Sequence, residues 1–446
     1  MKKINIYIVN ICLLLIAHCQ FVNAQETIPI NLEKVLELSG ANNLTIKEYQ
    51  EKQQLSAAHF AKAREWWLPE IYAGTQTHQL WGAVMNGNGR FFLDVNRNNL
   101  WLGIGANANW DFAKGIYSSK SAQLQYQASE LLTAAERNKA ILESVKTYYD
   151  LLTAQLNLVA YKDLVAQSDS IVMQIQIQVD AGLLYQSEVL LAKSNKNHLQ
   201  VEMLNAQKSY YEHTAKLTKL LNLSVSTKLV SVDSLLMPLD YSNNLEENKD
   251  HSLANHPEIK AFELEIKALH IKKRNYSTGL LFPELSIGAN TGYFGRLSGD
   301  LTPMDVVAFP NPNQLNSTQF LNVSLLWKIP LGAVTYNGDN KKYNSLIKIK
   351  EIESQRFKAE LNESISNATT SIEIGKEQIS ITKEAYELTA QALQQSIERQ
   401  KLGTAKPFEV FQAQQFFLQA QLDYLMSISE YNKAQFELKV AKGVQL

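Results

Sequence analysis

The stretch that decides the fold lies between two long runs of helix-forming residues and reads Gln400-Lys401-Leu402-Gly403-Thr404-Ala405-Lys406-Pro407-Phe408-Glu409-Val410. A second stretch with the same layout lies 221 residues earlier and reads Val179-Asp180-Ala181-Gly182-Leu183-Leu184-Tyr185-Gln186-Ser187-Glu188-Val189. Gly182 takes the place of Gly403, and Glu188 takes the place of Glu409. The chain is therefore built twice, which predicts one duplicated architecture rather than several unrelated domains.

The first 24 residues have the pattern of a secretory signal peptide. Met1-Lys2-Lys3 precedes an apolar run, and Val22-Asn23-Ala24 forms a small-x-small cleavage site before Gln25. The two cysteines, Cys12 and Cys19, both lie within this segment. The mature protein is thus expected to use no disulfide, thiolate or cysteine–zinc chemistry. Lipidation of Cys19 is a second hypothesis, although His18 stands where a lipobox requires a small residue.

Charge and hydropathy exclude two further classes. Without Lys2 and Lys3 the chain has 41 basic side chains against 44 acidic ones. It therefore has no excess of positive charge of the kind that indicates nucleic-acid binding. After the signal, no apolar run of about 20 residues could form a membrane-spanning helix. Membrane-spanning strands remain possible, because their signal is much weaker per segment.

Each half of the chain predicts a helix, two strands and a long helical hairpin. In both halves a Pro-Glu pair, Pro69-Glu70 or Pro283-Glu284, separates the helical period from alternation with period two. The predicted boundaries are a signal peptide at 1–24, a first repeat at 25–223 (helices in 30–66, strands 69–81 and 100–111, hairpin 113–222), an insert or linker at 224–250, and a second repeat at 251–446 (helix 253–281, strands 283–295 and 319–330, hairpin 337–443).

Tryptophan placement favours membrane strands over a soluble sandwich. The six tryptophans all lie within or beside the four strands, where membrane-interface aromatics are expected: Trp66, Trp67, Trp81, Trp101, Trp110 and Trp327. Polar loops are predicted between the paired strands, from Gly82 to Asn99 and from Arg296 to Thr318. The glycines around Asn88 lack the helix and Lys-Ser/Thr pair of a phosphate cradle, which favours a flexible loop.

The hairpins are predicted to be coiled coils. No proline interrupts the chain between Pro69 and Pro238 or between Pro330 and Pro407, so helices of roughly 100 Å are possible. Apolar residues step by three and four from Val189 to Leu220 and from Val410 to Ala441, as in a coiled-coil seam. Glutamines beside the second seam, such as Gln412, indicate a helix face that is in contact with water. A lumen lining and plain solvent exposure explain them equally well.

Four membrane strands cannot close a barrel in one chain, so the protein is expected to oligomerise. In the order of its features the mature chain resembles the TolC family of outer-membrane efflux proteins. The features are the signal peptide, the duplicated halves, Leu68-Pro69-Glu70 and Phe282-Pro283-Glu284 before strands, Trp110 and Trp327 near strand exits, and the paired Gly-x5-Glu-Val turns.

The resemblance implies a fold of mixed α and membrane β class. This fold is a homotrimer in which a 12-stranded barrel in outer-membrane lipid continues into an α-helical coiled-coil tunnel in the periplasm. It also implies docking onto a periplasmic adaptor and an inner-membrane transporter of the RND or ABC type, with no cofactor and no catalytic site. The implied function is a passive exit duct for small toxic compounds such as drugs, dyes or metal ions.

The resemblance places both turns at the periplasmic tip, where the tunnel narrows. It implies a pore gate built from Glu409, Gln412, Glu188, Lys401 and Lys406, and turn residues that face the adaptor: Gly182, Leu183, Leu184, Gly403, Thr404 and Ala405. Gln400 and Ala405 stand where the family's best-known member has a tyrosine and an arginine, so a latch of that kind is not expected. A simpler interpretation is that Glu409 and Glu188 only stabilise helix starts, with Ser187 as a cap.

Other functions remain as alternatives. A duct for secreted polypeptides would have the same fold, whereas a soluble periplasmic coiled-coil scaffold would be extracted without detergent. An enzyme is the weakest alternative, because the histidines show no ligand spacing beyond Asp250-His251 and His256-x-Glu258. Those histidines are expected to lie at the surface.

Overall fold

The computed structural model describes residues 27–85, 89–224, 226–233, 236–239, 255–299 and 315–446. The predicted signal peptide with Cys12 and Cys19 lies outside these residues, as do Asn88, residues 240–250 of the predicted insert or linker, and most of the second predicted loop. Among the helices that the structure describes, none is long and apolar enough to cross a membrane.

In chain order the elements are β1 (Thr27–Ile30), α1 (Leu32–Asn42), α2 (Leu44–Arg64), β2 (Glu70–Met85), β3 (Phe91–Asp111), α3 (Phe112–Asp180), α4 (Gln186–Leu220), β4 (Lys228–Ser231), α5 (Pro257–Arg274), β5 (Glu284–Gly299), β6 (Asn316–Leu326), α6 (Leu331–Thr335), α7 (Gly338–Lys401) and α8 (Pro407–Ala441). Short 3-10 turns over Glu65–Trp67 and Thr278–Leu281 precede β2 and β5. The helix–strand–strand–hairpin order occurs twice.

The chain forms two compact units. One comprises residues 1–51, 131–260 and 355–446, and the other comprises residues 52–130 and 261–354. The first unit holds the turns of both hairpins, and the second holds the four long strands. Each is described by itself.

In the first unit, apolar residues of α3, α4 and α8 pack into a continuous core around fully buried side chains such as Val145, Leu217 and Ile428. The short strands β1 and β4 pair in parallel beside it. Gln155 fixes β4, because its amide accepts a hydrogen bond from Ser231 N (2.9 Å) and donates one to Ser231 O (3.0 Å). Tyr210 Oη donates to Leu229 O (2.6 Å). Side chains on the helices therefore replace the neighbouring strands that this two-stranded sheet lacks.

In the second unit, β2, β3, β5 and β6 form one antiparallel sheet in that order. Side chains on one face form rows of apolar residues, and a single row across all four strands is Ile71, Ala106, Ala289 and Leu321. The next row, on the opposite face, is Glu70, Asn107, Gly288 and Asn322. The sheet thus has one apolar face, as the alternation predicts.

The prediction of a polar loop from Gly82 to Asn99 is wrong, because most of these residues lie in strands. β2 continues to Met85 and β3 begins at Phe91, nine residues before the predicted start. Polar residues in this region pair across the strands, as when Gln79 Nε2 donates to Asn96 Oδ1 (2.6 Å). A β-bulge at Gly82, where φ is +85°, absorbs the irregular register. The apolar/polar alternation is weak here because apolar residues pair with polar ones, as Leu80 does with Arg97 and Trp81 with Asn96.

The predicted helical segment 30–66 is interrupted at Asn43. Gly40 remains helical, and its position lies close to Arg137 and Ile141 of α3, where a Cβ would come within 3.4 and 4.0 Å of their side chains. The break comes at Asn43, whose side chain accepts from Thr45 N (2.8 Å) and donates to Leu220 O (3.0 Å). Asn43 therefore caps α2 and ties it to the end of α4.

Candidate functional site

The two hairpin turns have the same backbone geometry. In each, a glycine adopts a left-handed conformation, with φ of +74° at Gly182 and +72° at Gly403. The next residue reaches back to close the turn: Leu183 N donates to Gln178 O (2.8 Å), and Thr404 N donates to Arg399 O (2.9 Å). This pattern is a Schellman motif, which only glycine enters without steric cost.

In the second turn, Glu409 links the two helices. Its Oε1 accepts a hydrogen bond from Lys406 N (3.2 Å), which stabilises the start of α8. Its Oε2 lies 3.5 Å from Arg399 Nη1, and both side chains are about half exposed. Arg399 also contacts the turn itself, through Nη2 and Thr404 O (3.4 Å). Glu409 thus supports a helix start, as the simpler interpretation expects, and also pairs with an arginine across the turn.

The first turn lacks this ion pair. The position equivalent to Arg399 is Gln178, and among the described residues Glu188 has no basic partner. Ser187 is not the predicted cap, because the cap position of α4 is Tyr185 and no side chain fills it. The two turns are therefore alike in backbone but not in charge pairing.

A row of buried amides joins the two hairpins near the turns. Gln400 Nε2 donates to Gln178 Oε1 (3.0 Å), and Gln178 Nε2 donates to Gln400 O (3.2 Å). Further along, Gln414 Nε2 donates to Gln167 Oε1 (3.2 Å) and to Ser168 Oγ (3.3 Å). Gln400 and Gln414 are each 1% exposed. Hydrogen bonds between buried groups hold one arrangement, because breaking them leaves polar atoms without partners.

The residues behind the turns are apolar and fully buried. Val189 and Val410, which directly follow the two glutamates, are each 0% exposed and pack with Ile175 and Leu393. This packing fixes the first turn of α4 and of α8. It leaves the glutamates at the edge of the core.

Sequence reasoning missed Arg399, Gln178 and the role of Gln400. Lys401 and Lys406, the two lysines of the predicted gate, are exposed, and no ion pair of theirs occurs within the described part of the chain. Gln412 is also exposed and lies with Glu409 in the groove between α7 and α8. The predicted turn residues Leu183, Gly403 and Thr404 are exposed too.

The predicted interface tryptophans fall into different settings. Trp81, Trp110 and Trp327 lie on or continue the apolar face of the sheet, near its two ends. Trp110 Nε1 donates to Trp67 O (2.7 Å), which holds the exposed Trp67 beside it. Trp66 lies against Gly115, where a Cβ would be 2.1 Å from its ring. Trp101 departs from the prediction, because it lies on the polar face opposite Gln76 and Phe294.

His256 and Glu258 also differ from expectation. Both are buried, at 5% and 6% exposed, so the prediction of surface histidines is wrong for His256. Glu258 Oε1 accepts from Lys139 Nζ (2.5 Å), and burial raises the pKa of Glu258 while lowering that of His256 to about 4. No group of three or more metal-ligating side chains occurs among the residues described. Asp250 and His251 lie outside them.

Residues 35–223 match the model of the family described as outer membrane efflux protein. This match covers 189 of the 446 residues, so it shows similarity to the family over the first repeat. The match spans the first repeat, with its helices, both strands β2 and β3, and the hairpin with Gly182. This similarity indicates a location in the outer membrane, with the helical extension in the periplasm.

Solved structures of outer membrane channels share the fold of this chain. The outer membrane channel CmeC of Campylobacter jejuni is 16% identical, with 92% of this chain and 85% of that chain covered at a TM-score of 0.78. The outer membrane protein VceC of Vibrio cholerae is 15% identical (93% and 96% covered, TM-score 0.73), and the MtrE channel of Neisseria gonorrhoeae, in its open state, is 14% identical (93% and 89% covered, TM-score 0.74). No match was found among curated protein sequences.

Proposed function

We propose that this protein is the outer-membrane exit duct of a tripartite efflux system, a passive homotrimeric channel for small toxic compounds. The observation that carries the proposal is the four-stranded sheet with two free edges and one apolar face. The family match over residues 35–223 supports the efflux role, and the strand order, the apolar face and an exposed helical stripe support the assembly.

The order of the strands supports a barrel shared between chains. β2 and β6 are the edges of the sheet, and three successive antiparallel pairings make them run in opposite directions. β6 of one copy can therefore pair antiparallel with β2 of the next. Three copies would close a ring of 12 strands. A closed ring leaves no strand edge exposed to lipid.

The apolar face supports a position in the bilayer. Ile71 and Leu321, which lie on it, are 83% and 69% exposed. Trp81 lies ten residues along β2 from Ile71, roughly 33 Å of strand, and Trp110 and Trp327 lie near the other end. A tilted strand of this length spans the hydrocarbon core between two aromatic rows.

Exposed apolar residues on the helices support contacts between copies. Ile374, Ile381 and Leu388 recur every seven residues along α7 and are 51%, 58% and 59% exposed. Nothing in the described chain covers this stripe, and heptad spacing is the pattern by which helices pack against one another. A neighbouring subunit would bury it.

For the turns we propose the role of a closed periplasmic end. Glu409 and Gln412, with Glu188, Lys401 and Lys406, would line the gate around the threefold axis. The buried pair Gln178–Gln400 would hold the two hairpins of each chain together, in place of a tyrosine–arginine latch. Gly182, Leu183, Leu184, Gly403, Thr404 and Ala405 would face the periplasmic adaptor, which would connect the duct to an RND or ABC transporter.

Deletion of the gene followed by susceptibility measurements tests the efflux role. Strains without the protein should become more sensitive to several dyes, antibiotics or metal ions. Expression of the intact chain should restore resistance, whereas a chain lacking residues 316–326 should not, since the sheet then loses β6. Unchanged susceptibility to all compounds, together with lost secretion of a polypeptide, would replace efflux by protein export.

A further inference from the structure

A cavity of about 570 Å³ lies between the first and second hairpins. It is formed by α3 on one side and by α7 and α8 on the other, and all of its lining residues belong to the unit that carries the turns. Its size is that of a site for a small organic molecule. The predicted gate residues, apart from Lys401 at one end, are not part of it.

One wall of this cavity is aromatic. Tyr386 and Phe417 both line it, with ring centroids 5.5 Å apart and an angle of 29° between the rings. Tyr424 stacks behind Tyr386 at 5.9 Å and 16°. Ile372, Ile379 and Tyr386 recur every seven residues along α7. At the cavity this position is therefore occupied by an aromatic ring instead of an aliphatic side chain. The stack fixes the orientation of the Tyr386 ring.

The other lining groups are acids and amides. Asp163 and Glu398 contribute two carboxylates, and Lys401 contributes the single basic group. Glu398 Oε1 accepts a hydrogen bond from Gln394 Nε2 (3.1 Å), which holds its carboxylate. Gln167 is oriented by the hydrogen bond from Gln414. The formal balance of the lining is therefore one negative charge.

We propose that this cavity binds a planar organic cation, with the ring system against Tyr386 and Phe417 and the positive charge near Asp163 and Glu398. Aromatic faces attract cations through their quadrupole, and the carboxylates add a Coulomb attraction that an anion or a neutral molecule would not receive. The inference rests on the proposed function in one respect: it names organic cations as the class of cargo that the duct holds.

The test is equilibrium binding of ethidium to the purified full-length protein in detergent, followed by ethidium fluorescence. We expect saturable binding that Tyr386→Leu weakens about tenfold, whereas Tyr386→Phe, which keeps the ring, changes it less than twofold. The double variant Asp163→Asn, Glu398→Gln keeps every apolar contact and should also weaken binding. Tyr211→Leu, at an exposed tyrosine of α4, is the matched control.

Three results would overturn the inference. Ethidium binding that is the same in Tyr386→Leu and the wild type would exclude the aromatic wall. Equal binding of an uncharged aromatic compound of the same size would indicate an apolar groove, and displacement by detergent alone would indicate an adventitious additive only. Single-channel conductance, measured on the same preparations, separates failure of this inference from failure of the proposed function. A protein that conducts but does not bind ethidium is a duct without this site.

Discussion

Gln400 and Gln178, which are 222 residues apart in the chain, share two hydrogen bonds at the ends of two different hairpins. Gln400 is 1% exposed, so water does not replace these bonds when they break. The pair joins the last turns of α3 and α7, close to the glycines that end both helices. Together with the bonds of Gln414 and the apolar packing behind the turns, it joins the two repeats at the proposed closed end.

Replacing Gln400 by leucine should loosen the closed end. The change leaves the amide of Gln178 without its partner, a loss of about 1–3 kcal/mol. We expect a higher conductance in the closed state, measured in planar bilayers at low voltage. Gln415→Leu, an exposed glutamine on α8, is the control and should leave the conductance as in the wild type. Equal conductance in all three proteins would show that the amide pair does not restrain the gate.

Alanine at the two turn glycines should destabilise the protein by a backbone effect alone. Gly182 and Gly403 have positive φ, and a Cβ at either position would meet no atom within 4 Å. The expected loss is about 1–2 kcal/mol for each substitution. Gly338→Ala is the matched control, because Gly338 also has free space around it but begins helix α7 with a negative φ. It should be neutral or slightly stabilising in thermal unfolding.

Such turns could be foreseen from the sequence because their causes are local. A glycine between two periodic runs and its repetition at a constant offset fix the hairpins, and the alternation around Leu102 and Leu321 fixes the strands. The ion pair of Arg399 could not be foreseen, because it depends on how α7 and α8 are rotated about their axes. The β1–β4 pair joins segments about 200 residues apart in the chain, and no local pattern brings them together.

The two faces of the sheet should respond differently to an added charge. Val323→Arg places a guanidinium on the apolar face of β6, where the cost in hydrocarbon is about 2–4 kcal/mol. Ser324→Arg places the same group on the opposite face of the same strand. We expect Val323→Arg alone to reduce the yield of heat-resistant oligomer after insertion into liposomes. A similar reduction by both variants would contradict the assignment of the apolar face to lipid.

Acid should weaken the first unit through His256. Burial, with a smaller effect of Lys139, lowers the pKa of His256 from 6.5 to about 4, although its hydrogen bond to the Val440 carbonyl opposes this. Between these values the unfolded chain binds a proton that the folded chain does not, so stability falls as the pH falls from about 6.5 to about 4. The difference in pKa corresponds to on the order of 3 kcal/mol.

The effect of His256 on the pH dependence of stability can be separated from the effect of Glu258 by comparing variants. Burial raises the pKa of Glu258, so its contribution to stability has the opposite sign. His256→Gln removes only the histidine, and the stability of this variant should fall less steeply than that of the wild type over the same pH range in chemical denaturation. His270→Gln serves as a control, because His270 is exposed. Identical slopes for wild type and His256→Gln would show that folding does not shift the pKa of His256.

In the proposed function, three copies of this chain form a duct whose periplasmic end is closed by the hairpin turns. Single-channel recording of the purified protein in planar bilayers tests it most directly, with the subunit count of the same sample taken from its mass in detergent. We expect a trimer with discrete, small, cation-preferring conductance. Glu409→Gln should weaken the cation preference, because it removes three carboxylates from around the threefold axis. A monomeric protein without conductance, or a trimer whose conductance and cation preference are unchanged in Glu409→Gln, would contradict it.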